Sequence, residues 1–224
     1  MKPQFLIFIF IAAVLVGGIF YWRAHRYDKA AAVPPLASGT ETAYFAGGCF
    51  WCTEADFEKL PGVTEAISGY SGGTTENPTY TSVSSHTTGH LETVEVRYDP
   101  KQVTYHKLIE YFFSHIDPTD PQGQFVDQGD SYRSAVFYQN DSEQMIAEQE
   151  MKRLTESGAY EKPLVTSLIP FQHFYLAEDY HQDYWKKNSV RYKYYRSASG
   201  RDQYLEKICQ VRASKKVPCL QATH

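Results

Sequence analysis

The run Gly47-Gly48-Cys49-Phe50-Trp51-Cys52 constrains the fold of this chain more than any other segment. It follows the short apolar stretch Ala43–Phe45 and leads into a helix-forming stretch, Cys52–Leu60, that Pro61 and Gly62 close. Two adjacent glycines release the backbone from most steric limits, so the chain can turn sharply between the two stretches. The sequence therefore predicts a strand, a tight turn and a helix that begins beside a pair of cysteines.

The rest of the pattern predicts further strands and helices around this junction. Thr93–Tyr98 alternates and stops at Asp99-Pro100, which is typical of a strand, and Thr104 is placed to cap a helix. Two long loops, Ser71–His90 and Ile116–Asp130, separate these elements, and loops of that length are usually functional. We expect an α+β domain, a two-layer sandwich around a mixed sheet with a ferredoxin-like core. The other predicted strands are Val63–Tyr70, Ser134–Tyr138 and Leu164–Leu168, and the other predicted helices are Asn140–Glu156 and Glu178–Lys187.

Composition excludes several classes of protein. Hydrophobic residues make up 42% of the chain and charged residues 21%, which is typical of a globular protein and not of a disordered one. The formal net charge of −4 excludes a strongly basic nucleic-acid binder. The basic and aromatic cluster Tyr192–Tyr195 is interpreted as a solvated edge, although such clusters also bind single strands. We therefore predict no nucleic-acid partner.

The N-terminal segment Gln4–Trp22 carries no charge and is about as long as a bilayer core requires. Tyr21 and Trp22 stand at its end, where an aromatic belt would lie. This pattern predicts a single transmembrane helix, with the membrane bound through residues 4–22. A cleaved secretory signal is the alternative, but its apolar region would be longer than usual.

The orientation of that segment can be interpreted in two ways. Arg23, Arg26 and Lys29 come after the apolar run and favour a cytoplasmic domain under the positive-inside rule. Single N-terminal anchors, however, usually export the domain behind them. We expect a catalytic domain outside the cytoplasm, in the periplasm, with the cytoplasmic side as the alternative.

The cysteine pair is where the chemistry is expected. A thiol at a helix N-terminus lies against unsatisfied N–H groups and the positive end of the dipole, so Cys49 should have a depressed pKa. Cys52 comes three residues later on the same helical face, and the spacing allows a disulfide. A thioredoxin-like redox pair is the rival interpretation, although Phe50 and Trp51 are bulkier than the usual intervening residues. A zinc site would need a second close cysteine pair, and the histidines form no tight ligand pair, so no metal is predicted.

The motifs around this pair resemble those of the A-type peptide methionine sulfoxide reductase family. The similarity runs from about Thr42 to Asn188, and its joint motif set is highly specific. Besides Gly48-Cys49-Phe50-Trp51, it rests on Gly69-Tyr70-Ser71-Gly72-Gly73, Asn77-Pro78-Thr79-Tyr80, Thr88-Gly89-His90-Leu91-Glu92, Asp117-Pro118-Thr119, Asp127-Gln128-Gly129, Tyr132-Arg133-Ser134, Ala177-Glu178-Asp179-Tyr180-His181-Gln182 and Lys187-Asn188.

The resemblance implies that methionine S-sulfoxide, in proteins or free, is reduced through a cysteine sulfenic acid and an intramolecular disulfide. Such chemistry needs a nucleophile, expected to be Cys49, and a proton donor, which the resemblance places at Glu92. Phe50 and Trp51 would form an apolar wall for the S-methyl group. The resemblance also implies that Tyr80, Tyr132 and Asp127 belong to the site.

Resolution of the oxidised cysteine is expected to depart from the pattern of many family members, which carry a resolving cysteine in a glycine-rich tail. The tail here has few glycines, so Cys52 is the expected resolving residue. Cys209 and Cys219 are weaker resolving residues, or pair with each other, or remain surface thiols.

The predicted organisation has four parts: an anchor or signal over 1–22, a linker over 23–41, a catalytic domain over 42–205 and a C-terminal tail over 206–224. No bound cofactor is expected, and the resemblance implies thioredoxin or another dithiol donor as reductant. Two alternatives remain, a membrane-anchored thiol–disulfide exchanger that uses Cys49 and Cys52, and a module that only binds oxidised methionine. Turnover of a sulfoxide distinguishes them.

Overall fold

The computed structural model describes residues 32–220 of the chain. Eight strands are present in this part: β1 (Glu41–Gly47), β2 (Val63–Ser71), β3 (Leu91–Tyr98), β4 (Gly123–Gln124), β5 (Asp127–Gln128), β6 (Ser134–Tyr138), β7 (Ser167–Pro170) and β8 (Tyr175–Leu176). The α-helices are α1 (Phe50–Phe57), α2 (Tyr80–Ser84), α3 (Tyr105–Phe112), α4 (Asp141–Glu156), α5 (Tyr184–Lys187), α6 (Ser189–Ala198) and α7 (Arg201–Ser214). A 3₁₀ turn, Asp130–Tyr132, precedes β6.

Six of the strands form one mixed sheet in the order β7-β6-β1-β3-β2-β8. The neighbouring strands are antiparallel except for β6 and β7, which are parallel. The four central strands and the helices α1 and α3 follow the order of a split βαβ unit, with β1 and β3 in the middle. The short strands β4 and β5 form a separate hairpin.

The core lies between one face of this sheet and the helices. Phe45 of β1 stacks on Phe57 of α1 and on Phe112 of α3, with ring centroids 4.9 and 5.0 Å apart. On the opposite face, Tyr44 stacks on Phe171 at 3.9 Å, so the segment between β7 and β8 covers that side of β1. β1 is therefore buried on both faces, and its end is held rigidly.

Local sequence signals placed several elements correctly. Thr104 caps α3 by accepting a hydrogen bond from the backbone N–H of Lys107, and Asn140 caps α4 through the N–H of Glu143. The strand over Ser134–Tyr138 is confirmed as predicted. The predicted helix over Glu178–Lys187 is shorter, Tyr184–Lys187, and the strand predicted at Leu164–Leu168 lies at Ser167–Pro170. Both long loops contain elements that were not predicted, α2 in the first and the β4–β5 hairpin in the second.

The prediction of a catalytic domain behind a transmembrane helix is corrected by the structure. Between residues 32 and 220, no helix has the length and apolar character needed to cross a membrane. The longest helix of that part is α4, with 16 residues, whereas a bilayer span needs about 20 apolar ones. The segment 4–22 that carried the prediction lies outside the described residues. The membrane-anchored, periplasmic localisation was inferred from that helix and is withdrawn with it.

Candidate active site

The turn that joins β1 to α1 places Cys49 at the start of the helix. Gly48 has a φ of +83°, and a Cβ atom at this position would lie 2.5 Å from the Cβ of Gln124. Only glycine combines that backbone conformation with so close an approach of a neighbouring loop. The carbonyl of Cys49 accepts hydrogen bonds from the N–H groups of Cys52 and Thr53, so both cysteines belong to the first turn of α1.

Glu92 lies opposite this turn on β3 and is only 3% exposed. Its Oε2 atom accepts a hydrogen bond of 3.0 Å from the backbone N–H of Phe50, the first residue of α1. Burial raises the pKa of Glu92 from 4.5 to about 8, with the N–H of Phe50 acting in the opposite direction and Asp127 adding to the increase. Glu92 is therefore mainly a neutral carboxylic acid at pH 7, and it carries a proton that it can donate.

The pKa values of the two cysteines differ from the prediction. Burial, the hydrogen bond with Cys52 and the nearby carboxyl groups of Glu92 and Asp127 raise the pKa of Cys49 well above its ordinary value. The hydrogen bond from Cys49 lowers the pKa of Cys52 against the effect of burial, with further help from Arg201. The predicted depressed pKa of Cys49 is therefore wrong for the substrate-free enzyme, because burial outweighs the helix terminus. The hydrogen bond between the two thiols thus disfavours ionisation of Cys49 and favours ionisation of Cys52, through opposite shifts of their pKa values.

Phe50 and Trp51 form the apolar side of the site. Phe50 is almost fully buried, with its ring 4.8 Å from that of His181. Trp51 is half-buried, stacks on Tyr184 at 3.7 Å and donates its indole N–H to Nδ1 of His181 at 3.1 Å. Because burial lowers the pKa of His181 to about 4, this imidazole is neutral and Nδ1 is free to accept. His181 thus fixes the orientation of the indole ring.

Tyr80 and Tyr132, from the two long loops, lie beside the acid and the thiol. The two side chains form a hydrogen bond with each other. Burial raises the pKa of each phenol, and the charge of Glu92 raises it further. Both phenols therefore remain protonated and can donate hydrogen bonds. Glu178 anchors Tyr80, because its Oε1 atom accepts a hydrogen bond of 2.8 Å from the Tyr80 backbone N–H.

Asp127 is on β5 and is held by a residue that the sequence analysis missed. The hydroxyl of Tyr195, on α6, donates to Oδ2 of Asp127 at 2.5 Å, and its ring meets Trp51 edge to face at 6.0 Å. Burial raises the pKa of Asp127, whereas Tyr195 and Arg201 oppose that shift. The sequence does hold a signal for Tyr195, because Tyr192 and Tyr195 are three residues apart and therefore share one helical face. In the structure, the intervening Tyr194 is 77% exposed.

Cys209 and Cys219 form a disulfide with each other, which was one of the three alternatives for them. In the described part of the chain, the cysteines with free thiols are Cys49 and Cys52, and both are buried. This disulfide links Cys209, within α7, to Cys219 in the segment that follows the helix. The structure thus brings together the predicted site residues and leaves Cys209 and Cys219 bonded elsewhere. The residues brought together are Cys49, Cys52, Glu92, Phe50, Trp51, Tyr80, Tyr132 and Asp127.

Two carboxylate-rich groups within residues 32–220 have a spacing that a metal ion could use. One consists of Glu54, Glu58 and Asp183, and the other of His106, Glu110 and Glu150. Neither includes a cysteine, and carboxylates of each group already pair with a cation: Glu110 and Glu150 with Arg153, and Glu58 and Asp183 with Lys186.

Comparison with known proteins identifies the family. The model of the family described as "Peptide methionine sulfoxide reductase" matches residues 41–213. The chain belongs to the peptide methionine sulfoxide reductase family. The resemblance predicted from the sequence motifs is therefore confirmed, and the protein is an oxidoreductase that reduces methionine sulfoxide.

Individual relatives agree with this assignment. The chain is 50% identical over 171 residues to the peptide methionine sulfoxide reductase MsrA of Bacillus licheniformis, and the match covers 76% of this chain and 94% of that protein. It is 55% identical over 180 residues to the MsrA/MsrB protein of Vibrio cholerae, where the match covers 80% of this chain but spans only 48% of the relative. The solved structure of methionine sulfoxide reductase A from Corynebacterium diphtheriae matches with a TM-score of 0.61 and 36% identity, over 68% of this chain and 77% of that one.

Proposed function

We propose that this protein reduces the S epimer of methionine sulfoxide, in oxidised proteins and as the free amino acid, with Cys49 as nucleophile and Glu92 as proton donor. The observation that carries the proposal is the pairing of a thiol with a buried acid at one helix N-terminus, where Phe50 N–H binds Glu92 Oε2 at 3.0 Å. Sulfoxide reductases act on one epimer each. Members of this family repair oxidised methionine, which fits a protein-repair role.

The first half of the reaction forms methionine. Cys49 transfers its proton within the thiol pair and its sulfur attacks the sulfoxide sulfur, while Glu92 protonates the sulfoxide oxygen. The oxygen leaves the substrate and ends as the hydroxyl of a Cys49 sulfenic acid. The substrate sulfur gains two electrons and the cysteine sulfur loses two. A pKa of about 8 for Glu92 suits this role, because it keeps the acid protonated at neutral pH.

The neighbouring side chains orient the substrate. Phe50 and Trp51 receive the S-methyl group, because sulfur and methyl groups pack well against aromatic rings. Tyr80 and Tyr132 hydrogen-bond the sulfoxide oxygen or the Glu92 carboxyl. Asp127, whose carboxylate is held by the hydroxyl of Tyr195, accepts hydrogen bonds from polar groups of the substrate.

The second half of the reaction restores the thiols. Cys52 attacks the sulfenic acid of Cys49, the sulfur–sulfur bond forms and water leaves. Thioredoxin or another dithiol donor then reduces the disulfide. Resolution at Cys52 needs no movement of the C-terminal segment, where Cys209 and Cys219 already bond to each other.

A thiol–disulfide exchanger that uses the same cysteine pair is not favoured. It would leave Glu92 unused, although that carboxyl is buried against the nucleophile at a pKa suited to proton donation. The family assignment points the same way.

Epimer-resolved turnover tests the proposal. The purified protein is given L-methionine S-sulfoxide or R-sulfoxide with dithiothreitol, and methionine is measured by chromatography. The S epimer should be consumed and the R epimer should not, and Cys49→Ser should form no methionine from either, since a serine hydroxyl is a poor nucleophile here. Turnover of the R epimer alone, or turnover by Cys49→Ser, would overturn the assignment.

A further inference from the structure

His86 joins the two long loops that carry the tyrosines of the site. It follows α2, the helix that begins at Tyr80, and its ring reaches the 3₁₀ turn that ends at Tyr132. A hydrogen bond of 3.3 Å connects Nδ1 of His86 with the hydroxyl of Ser131, which is only 1% exposed. The same ring meets the ring of Tyr132 edge to face, with the centroids 6.3 Å apart. One side chain therefore contacts both Tyr132 and the residue before it.

The start of that turn is shaped to receive the imidazole. A Cβ atom at Gly129 would lie 2.4 Å from Cε1 and 2.6 Å from Nε2 of His86, so the ring occupies the space that a side chain would need. The φ of Gly129, +121°, is also in a region that only glycine adopts readily. The Gly129 carbonyl accepts a hydrogen bond of 3.0 Å from the N–H of Tyr132, which closes the turn. His86 therefore packs against the backbone that sets the direction of Tyr132.

The backbone of His86 is itself in a conformation that costs free energy. Its φ is +59°, and its N–H donates to the carbonyl of Val83 at 2.9 Å, so it occupies the left-handed position that follows a helix. Glycine is the usual residue there, because a Cβ atom is disfavoured in this conformation. Strained residues of this kind persist where the surrounding structure fixes them, and they cluster at active sites. At position 86, the contacts of the imidazole with the opposite loop offset the cost.

These contacts determine where the phenol of Tyr132 lies relative to that of Tyr80. The two phenols hydrogen-bond to each other, and the loop of Tyr80 is fixed separately, because its backbone N–H donates to Oε1 of Glu178 at 2.8 Å. The turn of Tyr132 lies between the β4–β5 hairpin and β6. His86 connects this turn to the end of the helix that carries Tyr80.

We propose that His86 is a positioning residue, which holds the Gly129–Tyr132 turn so that the hydroxyl of Tyr132 meets the sulfoxide oxygen. The inference rests on the proposed function, because it assigns a residue to the first half of that reaction. The imidazole acts through Tyr132 and exchanges no proton with the substrate. A phenol O–H in the correct place stabilises the charge that develops on the departing oxygen, and a displaced one stabilises it less.

Single-turnover kinetics test this role. Each variant is mixed with excess L-methionine S-sulfoxide without reductant, and the rate of methionine formation is measured over a range of substrate concentrations. His86→Gly removes the imidazole and suits the backbone, so its urea midpoint should be no lower than that of the unmutated protein. Its rate at saturating substrate should nevertheless fall about fivefold to tenfold with the half-saturating concentration little changed, which is the effect of one misplaced hydrogen bond.

A conservative variant and a double-mutant cycle separate positioning from a general effect on the fold. Asn tolerates the left-handed conformation and its amide can bond Ser131, so His86→Asn should keep most of the rate. Tyr132→Phe removes the hydroxyl that His86 places, so His86→Gly should have little further effect in that background.

Lys216 provides a matched control for the backbone. It also has a φ of +59°, and its N–H donates to the carbonyl of Ala213 after α7, as that of His86 donates to Val83 after α2. Lys216→Gly should leave methionine formation unchanged.

Each alternative result has a distinct meaning. An unchanged rate in His86→Gly, or equal slowing by Lys216→Gly, would overturn the role of His86. An effect of His86→Gly that is as large in the Tyr132→Phe background as in the unmutated protein would overturn it too. If His86→Gly does not fold, Ser131→Ala removes the same hydrogen bond from the other side, and an unchanged rate in that variant overturns the inference. If the unmutated protein forms no methionine, the proposed function itself fails.

Discussion

Replacement of Glu92 by Gln should make the protein more stable at alkaline pH while it nearly abolishes catalysis. Burial raises the pKa of this carboxyl from 4.5 to about 8 in the folded protein. The folded state therefore keeps the proton over a pH range in which the unfolded chain has lost it. For an acid with a raised pKa, stability is fully present below pH 4.5 and is lost as the pH rises towards 8.

The size of the effect can be worked out from that shift. Each pH unit between the two pKa values weakens folding by about 1.4 kcal/mol. At pH 7 the ionisable group therefore reduces the free energy of unfolding by roughly 3 kcal/mol, and at pH 5 by less than about 1 kcal/mol. Gln cannot ionise, and its amide oxygen can still accept the hydrogen bond from Phe50 N–H. Glu92→Gln should thus gain stability relative to the unmutated protein as the pH rises.

Urea unfolding at pH 5, 7 and 8 measures this difference, with single-turnover methionine formation measured on the same samples. Loss of the general acid should slow methionine formation by about 10²–10⁴-fold. Glu54 is a matched control, because it is fully buried on α1 with a pKa raised to about 8 and bonds Ser68 and the N–H of Asp183 rather than the nucleophile. Glu54→Gln should show the same trend in stability and keep methionine formation.

Two results would refute this reasoning. A stability difference between Glu92→Gln and the unmutated protein that is the same at pH 5 and pH 8 would mean that Glu92 ionises normally in the fold. Normal methionine formation by Glu92→Gln would reassign the proton donor.

Three other sets of variants test the site and its surroundings. Cys52→Ser should form one equivalent of methionine in a single turnover and accumulate Cys49 sulfenic acid, detected by dimedone labelling; a variant that forms no methionine would contradict the division of roles. The double variant Cys209→Ser/Cys219→Ser should lose about 2–3 kcal/mol of unfolding free energy, because the bond closes a short loop, and should keep its turnover with dithiothreitol; loss of turnover would make the tail catalytic. His181→Phe leaves the indole N–H of Trp51 without its acceptor. Steady-state kinetics should then give a KM raised about fivefold with kcat little changed, whereas an unchanged KM would argue against a role for this contact.

Local rules predicted the parts of the fold that depend on local contacts. The caps of α3 and α4 need only a side chain and a backbone N–H three residues away, so Thr104 and Asn140 were recognised from their spacing. Helix α7 does not stand out in the sequence, because its buried face includes Arg201 and Arg212 rather than a continuous apolar stripe. Those arginines are buried only because carbonyls from distant segments accept their hydrogen bonds.

The same contrast between local and long-range contacts holds at the active site. The turn at Gly47–Gly48 and the neighbouring thiols could be located from the sequence, because glycine content and spacing report backbone conformation directly. The protonation of Cys49 could not, because it depends on burial and on Glu92 and Asp127, which tertiary structure brings close. Tyr195 was missed for a related reason, since its partner Asp127 lies 68 residues earlier in the chain.

Peptide mapping after one turnover shows directly which cysteine resolves oxidised Cys49. The reduced enzyme, with its Cys209–Cys219 bond intact, is given one equivalent of L-methionine S-sulfoxide, alkylated, digested and analysed by mass spectrometry. One equivalent of methionine and a rapidly formed disulfide between Cys49 and Cys52 are expected. A dominant, rapidly formed link from Cys49 to Cys209 or Cys219 would contradict this expectation.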